Sequence, residues 1–373
     1  MSLRWIFVSV SMLGLVACAP DVVGEAQLGD DCSLRYAYSV KQVDDGFIRC
    51  EIVPGTSLHA DNKNEAARFA WVSTAEDQYV LATAAHDLVR IDGSSTVAPL
   101  SAITAKFFES ASRSVMGNNG VRVSVGISGT GGGFEKFCNG ETDISNASRA
   151  IKDSEVELCA SNGVAFTEVQ VANDGLAVVV NLENDWAACL TLEELRRIWE
   201  PGSTITNWSQ VRKGFPDVRL KLFGAGTDSG TFDAFTTFVN GKSGIARRDG
   251  VATSENDNVT VQGVLSERGA LGYFGYSYSV ENADKVRAIA LDGDEGCINP
   301  TEANVQSYAY PMARPLFMYV KNESLTDRAG TRAFVEFFVD NSTQINRDAL
   351  FVPLSPDQQQ RVRGVVERFF ATS

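Results

Sequence analysis

From Ile91 onward, apolar positions switch repeatedly between a period of two and a period near 3.6. That pattern predicts strands alternating with amphipathic helices, and hence an α/β fold. The alternation of Val121 to Ile127 and the segment from Arg219 to Phe223 read as strands. Leu100, Ile103 and Phe107 share one helical face, with Pro99 in the first turn, where its missing N–H costs nothing. Phe134 and Phe137 mark a second helix, and Phe232, Phe235, Phe238 and Val239 a third. Before Ile91 the pattern differs. Leu34 to Val43 and Phe47 to Val53 are strand-like around an Asp44-Asp45-Gly46 turn, and Arg68 to Ser73 and Gln78 to Thr83 are further short strands. Residues 18–90 are therefore expected to form a small β-rich N-terminal extension, with no evident chemistry. His86-Asp87 is an adjacent pair whose side chains point apart, so it reads as a surface loop.

Three strands in this pattern end in one local design. Asp92-Gly93-Ser94-Ser95-Thr96-Val97, Ser128-Gly129-Thr130-Gly131-Gly132-Gly133 and Gly224-Ala225-Gly226-Thr227-Asp228-Ser229-Gly230-Thr231 each lead into a helix. A helix N-terminus offers free backbone N–H groups and the positive end of a dipole, which suits an oxyanion. Glycine lets the backbone approach closely, and hydroxyls add donors without charge. One such turn also serves as an ordinary cap. Three at the carboxyl ends of strands predict a shared anion site. Catalytic readings fail on the residues: the spacing of G-x-S-x-G is absent, neither His59 nor His86 is a convincing base, and there is no P-loop or dinucleotide context. The chain reads as a binding protein and not an enzyme, with no metal and no cofactor.

The 373 residues are 44% hydrophobic and 21% charged, which excludes disorder, collagen-like repeats and a polytopic membrane protein. The length suits two domains, or two lobes of one fold. Thirty-three Lys+Arg against 47 Asp+Glu give a net charge of −14, so nucleic acid is a poor partner and any anion site must act locally. Arg4 precedes an apolar run from Trp5 to Ala17, too short to span a bilayer but of signal-peptide length. Leu15-Val16-Ala17-Cys18 resembles the lipobox of bacterial lipoproteins. Residues 1–17 are thus expected to be a lipoprotein signal peptide, with Cys18 acylated and the chain anchored to a membrane of the cell envelope. Seven cysteines less Cys18 leave Cys32, Cys50, Cys138, Cys159, Cys189 and Cys297, an even set that an exported chain uses for disulfides.

The loops resemble those of the periplasmic phosphate-binding proteins of bacterial ABC transporters, the PstS-like type II binding proteins. Gly93 to Pro99 is similar to the family's first phosphate loop. Ser128 to Phe134, followed by Gly140 to Arg149, is similar to the second, and Asp228-Ser-Gly-Thr-Phe232 to its S-G-T-x-x-x-F helix start. Leu190 to Trp199, Ile205 to Trp208, Tyr310-Pro311 and Pro315 to Val320 also resemble family segments. The resemblance implies two α/β lobes joined by hinge strands: 91–172 with 308–373, and 173–307. It implies the disulfides 138–159 and 189–297 within lobes, leaving 32–50 for the extension. It also implies inorganic phosphate as ligand, ABC permease subunits as partners, and a monomer acting in the periplasm or cell envelope. Thr96, the Val97 amide, Thr130, Ser229, Gly230 and Thr231 are the implied donors, with Ser95, Ser128 and Gly131 behind them. Two positions depart from the family: Arg149 stands where relatives carry an aspartate, and Ala225 where they carry an arginine. Arg149 is then a candidate charged ligand, and Asp228, with Asp143 as runner-up, the candidate acceptor of a phosphate proton. Sulfate or arsenate binding, a sensor for a membrane receptor, and a secreted phosphohydrolase are the competing readings.

Overall fold

The structure, a computed structural model, describes residues 31–32, 40–43, 46–52, 69–74, 87–116 and 120–372. Cys18, His59, His86 and the strand expected at Gln78 to Thr83 lie outside the described residues, as do the side chains of the expected Cys32–Cys50 pair. In the extension, β1 (Asp31–Cys32), β2 (Val40–Val43), β3 (Gly46–Ile52) and β4 (Phe69–Thr74) form an antiparallel sheet of order β1-β4-β3-β2. β2 and β3 pair antiparallel with Val43 opposite Gly46, and the turn expected at Asp44-Asp45 lies outside the described residues.

The alternating region follows as β5 (Leu88–Gly93), α1 (Ala98–Met116), β6 (Arg122–Val125), α2 (Gly129–Cys138), β7 (Ile144–Ala147), α3 (Asp153–Ser161) and the long β8 (Phe166–Asn181). Next come β9 (Cys189–Thr191), α4 (Leu192–Trp199), β10 (Lys221–Ala225), α5 (Gly230–Asn240), β11 (Val251–Ser254), α6 (Asp257–Ser266), β12 (Ala270–Gly275) and α7 (Tyr276–Glu281). The chain continues through β13 (Val286–Ala288), β14 (Ala290–Asp292), β15 (Cys297–Ile298), α8 (Glu302–Gln306) and β16 (Ala313–Lys321). It closes with α9 (Asn322–Asp327), α10 (Ala329–Asp348) and α11 (Pro356–Thr372). The main sheet has the order β11-β10-β12-β8-β16-β7-β5-β6.

Two lobes hang on the two crossing strands. The first half of β8 pairs with β16, and the second half with β12 and β13. Both faces of each half are covered, which is why these strands read as near-continuous apolar runs. In the first lobe, Leu316, Met318 and Val320 join one core while Phe317 and Tyr319 join another on the opposite face. In the second, Leu176, Val178 and Val180 face one core and Ala177 and Val179 the other. Phe108 packs edge-on against Phe334 at 5.4 Å between α1 and α10, and truncating either ring would cost about 3–5 kcal/mol. In the second lobe, Thr191 and Glu194 cap α4 reciprocally, and Trp208 is fully buried with its indole N–H donating to the Gly269 carbonyl at 2.9 Å.

Between the cores β8 turns polar at Asn173-Asp174, opposite Pro315 and Arg314, and the β16 register shifts between Leu316 and Phe317. Asn173 is fully buried; its amide nitrogen donates to the Pro353 carbonyl at 3.0 Å and to Gln358 at 2.9 Å. Disulfides join Cys138 to Cys159 across α2 and α3, and Cys189 to Cys297 between β9 and β15, each within one lobe. Among the described residues, no helix is long and apolar enough to cross a membrane.

Candidate anion-binding site

The three glycine- and hydroxyl-rich loops sit where strands end and helices begin. The first follows β5. Gly93 has φ +135°, and a Cβ there would lie 2.2 Å from the Asn146 carbonyl oxygen, so only glycine lets this loop lie against β7. The Ser94 amide donates to that same carbonyl at 2.9 Å, and the Thr96 amide to the Ser94 hydroxyl at 3.2 Å. Val97 buries its side chain in the first core, so its backbone is all it could offer a ligand.

Asp92 locks the first loop to the second. Its carboxylate accepts from the Gly93 amide at 2.7 Å, the Ser128 hydroxyl at 2.7 Å and the Lys136 ammonium at 2.5 Å. Burial pushes this carboxyl up, but the three donors outweigh it and the net shift is downward. Ser128 is the N-cap of α2, yet its hydroxyl proton goes to Asp92. Thr130, two residues on, holds the end of β7: its hydroxyl lies 3.1 Å from that of Ser148 and accepts the Ser148 amide at 3.2 Å.

The third loop, before α5, comes from the other lobe. Ser229 caps α5, its hydroxyl accepting from the Thr231 amide at 3.1 Å. Gly230 meets the first loop directly: the Thr96 hydroxyl donates to the Gly230 carbonyl at 3.4 Å.

The first two loops, with Asp233, Thr237 and Phe238 of α5 and Arg314 of β16, line a cleft of about 770 Å³. Of the residues expected from sequence, Ser95, Thr96, Thr130 and Arg149 line it. Val97, Ser128, Gly131, Asp228, Ser229, Gly230 and Thr231 do not, although Gly230 touches Thr96 at its edge. Arg149 presents both terminal nitrogens to Glu155, at 2.8 and 2.7 Å, and stacks 5.6 Å from the Phe134 ring centroid. Burial pushes the Glu155 carboxyl up, but Arg149 and the Lys152 amide bring it below its ordinary value. Asp228 is exposed, and its amide donates to Glu255 at 3.2 Å. Asp143 is buried away from the cleft, accepting from the Arg90 amide at 2.8 Å, the Ser324 hydroxyl at 2.8 Å and Arg328 at 2.7 Å. Ala225 is buried in the second core.

The cleft also holds residues that sequence reasoning missed: Ser94, Ser148, Lys152, Lys242 and Arg314. Arg314 had a readable signal, being a charge at the head of β16 directly before the run Pro315 to Val320. Beside the Asp233 carboxylate, which accepts from the Ser243 hydroxyl, the lining offers hydroxyls, helix-start amides and cations, groups that attract an oxyanion.

Two lobes joined by crossing strands, with such a cleft between them, define a binding protein of the periplasmic type. A family model described as a PBP superfamily domain matches residues 73–342, and the chain belongs to that family, in its PstS-like branch. It is 43% identical over 277 residues to Protein SphX of Synechococcus elongatus, an alignment covering 73% of this chain and 79% of the relative. It is 36% identical over 284 residues to the phosphate-binding protein PstS of Staphylococcus saprophyticus, covering 74% of this chain and 85% of that one. The crystal structure of a possible phosphate binding protein from Planctomyces limnophilus superposes with a TM-score of 0.70 at 38% identity, covering 76% of this chain and 99% of the other. The fold is therefore the type II arrangement implied by the loops, and the β-rich extension precedes it.

Proposed function

We propose that this protein captures inorganic phosphate between its lobes and delivers it to the permease of an ABC importer, binding its cargo without chemical change. The observation that carries the reading is the meeting of Thr96 and Gly230, which brings the start of α5 in one lobe against the first loop of the other, beside the cleft. The relatives' names support phosphate as the cargo. In this reading Thr96, Thr130 and Ser95 donate from the first lobe, and the α5 start, with Ser229, Gly230 and Thr231, closes from the second. Residues near 172 and 308 mark the lobe boundaries, and the bend lies in the polar stretch of β8 and β16. Ser128, Gly131 and the Val97 amide support the loops. The mature protein acts as a monomer at the cell envelope, held by acylated Cys18.

Calorimetry of the mature chain against phosphate, arsenate and sulfate tests the central claim. Phosphate should bind with 1:1 stoichiometry and more tightly than sulfate. Equal affinity for the two, or no heat with phosphate, would refute it. Mass spectrometry of membrane fractions tests the anchor: an unmodified N-terminus beyond Cys18 would remove it.

A further inference from the structure

We propose that Arg314, on the crossing strand β16, is the cation that grips the anion, and that Arg149 serves mainly to brace the cleft wall. The inference rests on the cleft being the anion site. Both arginines line it, so the question is which has donors to give.

Arg149 uses the end-on edge of its guanidinium for Glu155, and Nη1 also donates to the Ala150 carbonyl at 3.0 Å. That edge is the one a bidentate oxyanion would need. Arg314 is arranged the other way. Sheet register places it directly opposite Asp174 on β8, and its Nε donates to the Asp174 carboxylate at 3.0 Å. The bond leaves from the side of the guanidinium. Nη2 donates to the Thr96 hydroxyl at 3.2 Å, and no bond among the described residues engages Nη1. The side chain is 16% exposed, and its Asp174 partner 8%. A guanidinium held at its Nε by a buried carboxylate, with its Nη edge beside Thr96, is preorganised to take two oxygens of a tetrahedral anion.

Position adds a second role. The Arg314 guanidinium also lies 5.8 Å from the Phe238 ring centroid, on α5 of the second lobe, while Thr96 belongs to the first. One side chain on the hinge thus touches both walls and the proposed cargo. Anion binding would strengthen the contact that keeps the walls together.

The test uses the mature chain and its Arg314→Gln, Arg314→Lys and Arg149→Gln variants, with phosphate calorimetry and ligand-free thermal melts. Arg314→Gln should weaken phosphate binding by about 30-fold or more relative to wild type, and its ligand-free Tm should also fall because Asp174 is left buried without its partner. Arg314→Lys, which keeps charge without the planar fork, should fall between the two. Arg149→Gln, whose pair with Glu155 is the more exposed of the two, should lose at least about tenfold less affinity than Arg314→Gln. Phosphate affinity within about threefold of wild type in Arg314→Gln, or a larger loss in Arg149→Gln, overturns the assignment. If Arg314→Gln does not fold, Arg314→Lys decides, and wild-type affinity in it refutes the proposal. A wild-type chain that binds sulfate or arsenate but not phosphate would refute the cargo alone, and the same comparison would then be read with that anion. A wild-type chain that binds none of the three refutes both.

Discussion

Gly230→Ala probes the contact between the lobes with one carbon atom. A Cβ at position 230 would lie 2.8 Å from the Thr96 Cα and 2.9 Å from the Thr96 backbone nitrogen and hydroxyl oxygen. Carbon contacts settle near 3.5–4.0 Å, and here two of the three opposing atoms are backbone, which cannot swing away. Forcing such an overlap costs about 1–3 kcal/mol. Gly230 is not among the residues with positive φ, so the helix itself accepts alanine, with a small gain from the less flexible unfolded chain. The strain therefore falls on the approach of the lobes, and it is relieved if they part. At about 1.4 kcal/mol per tenfold, phosphate affinity should fall by roughly 5- to 150-fold. The ligand-free Tm should hold or rise slightly. Calorimetry and thermal melts of the same preparations read both quantities. Affinity within about twofold of wild type would refute the reasoning. So would a fallen ligand-free Tm, because the contact would then belong to the resting fold.

Asp92→Asn should weaken phosphate binding and cost about 1–3 kcal/mol in denaturant unfolding, because it strips Lys136 of its partner and frees Ser128. An unchanged affinity would show that the two loops hold their geometry without it. Reducing the disulfides should lower stability, by about 3 kcal/mol for Cys138–Cys159, with a sequence separation of 21, and by somewhat more for Cys189–Cys297, with a separation of 108. Non-reducing peptide maps that join the two lobes would contradict the pairing. Asp257, in the first turn of α6, is pushed up to about 6 by burial and then by the neighbouring Glu255. A raised carboxyl favours the protonated folded state, so its ionisation costs stability as the pH rises from about 4 to about 6, and the full cost remains above that. Asp257→Asn should therefore stabilise by about 1–3 kcal/mol near pH 8, with the gain fading by about pH 4, as unfolding titrations at both pH values would show.

The alternation of Val121 to Ile127 made that strand legible, whereas the continuous run Leu176 to Val180, covered on both faces, offers no period that separates a strand from a buried helix. The loops were legible for a chemical reason: glycine and hydroxyls clustered after strands have few uses besides caps and anions. What the sequence could not show is how each donor spends its protons. Ser128 sits in the right loop, yet Asp92 takes its hydroxyl, and that depends on a carboxylate 36 residues away. Arg149 stands at a position that invites a ligand role, but Glu155, in the first turn of α3, meets it edge-on. Arg314 was overlooked because its partners, Asp174 and Thr96, are joined to it only by sheet register and loop approach, with separations of 140 and 218 residues. The resemblance covered its neighbours and stepped over the charge.

The pairing of charges around the cleft also bears on how an acidic protein takes up an anion. A chain of net charge −14 repels phosphate at long range. Three of the cations at or beside the cleft are matched by carboxylates: Lys136 by Asp92, Arg149 by Glu155 and Arg314 by Asp174. Each pair is nearly neutral beyond a Debye length of about 8–10 Å, so steering from a distance is weak. Attraction must then arise at contact, from hydroxyls, helix-start amides and the open edge of a guanidinium already held in place. Association should accordingly quicken as salt screens the overall repulsion, while dissociation changes little. Stopped-flow measurement of phosphate uptake across a salt series checks this. A rate that falls steeply with salt would mean that unpaired cations, with Lys152 and Lys242 at the cleft as the first to mutate, draw the anion in from afar.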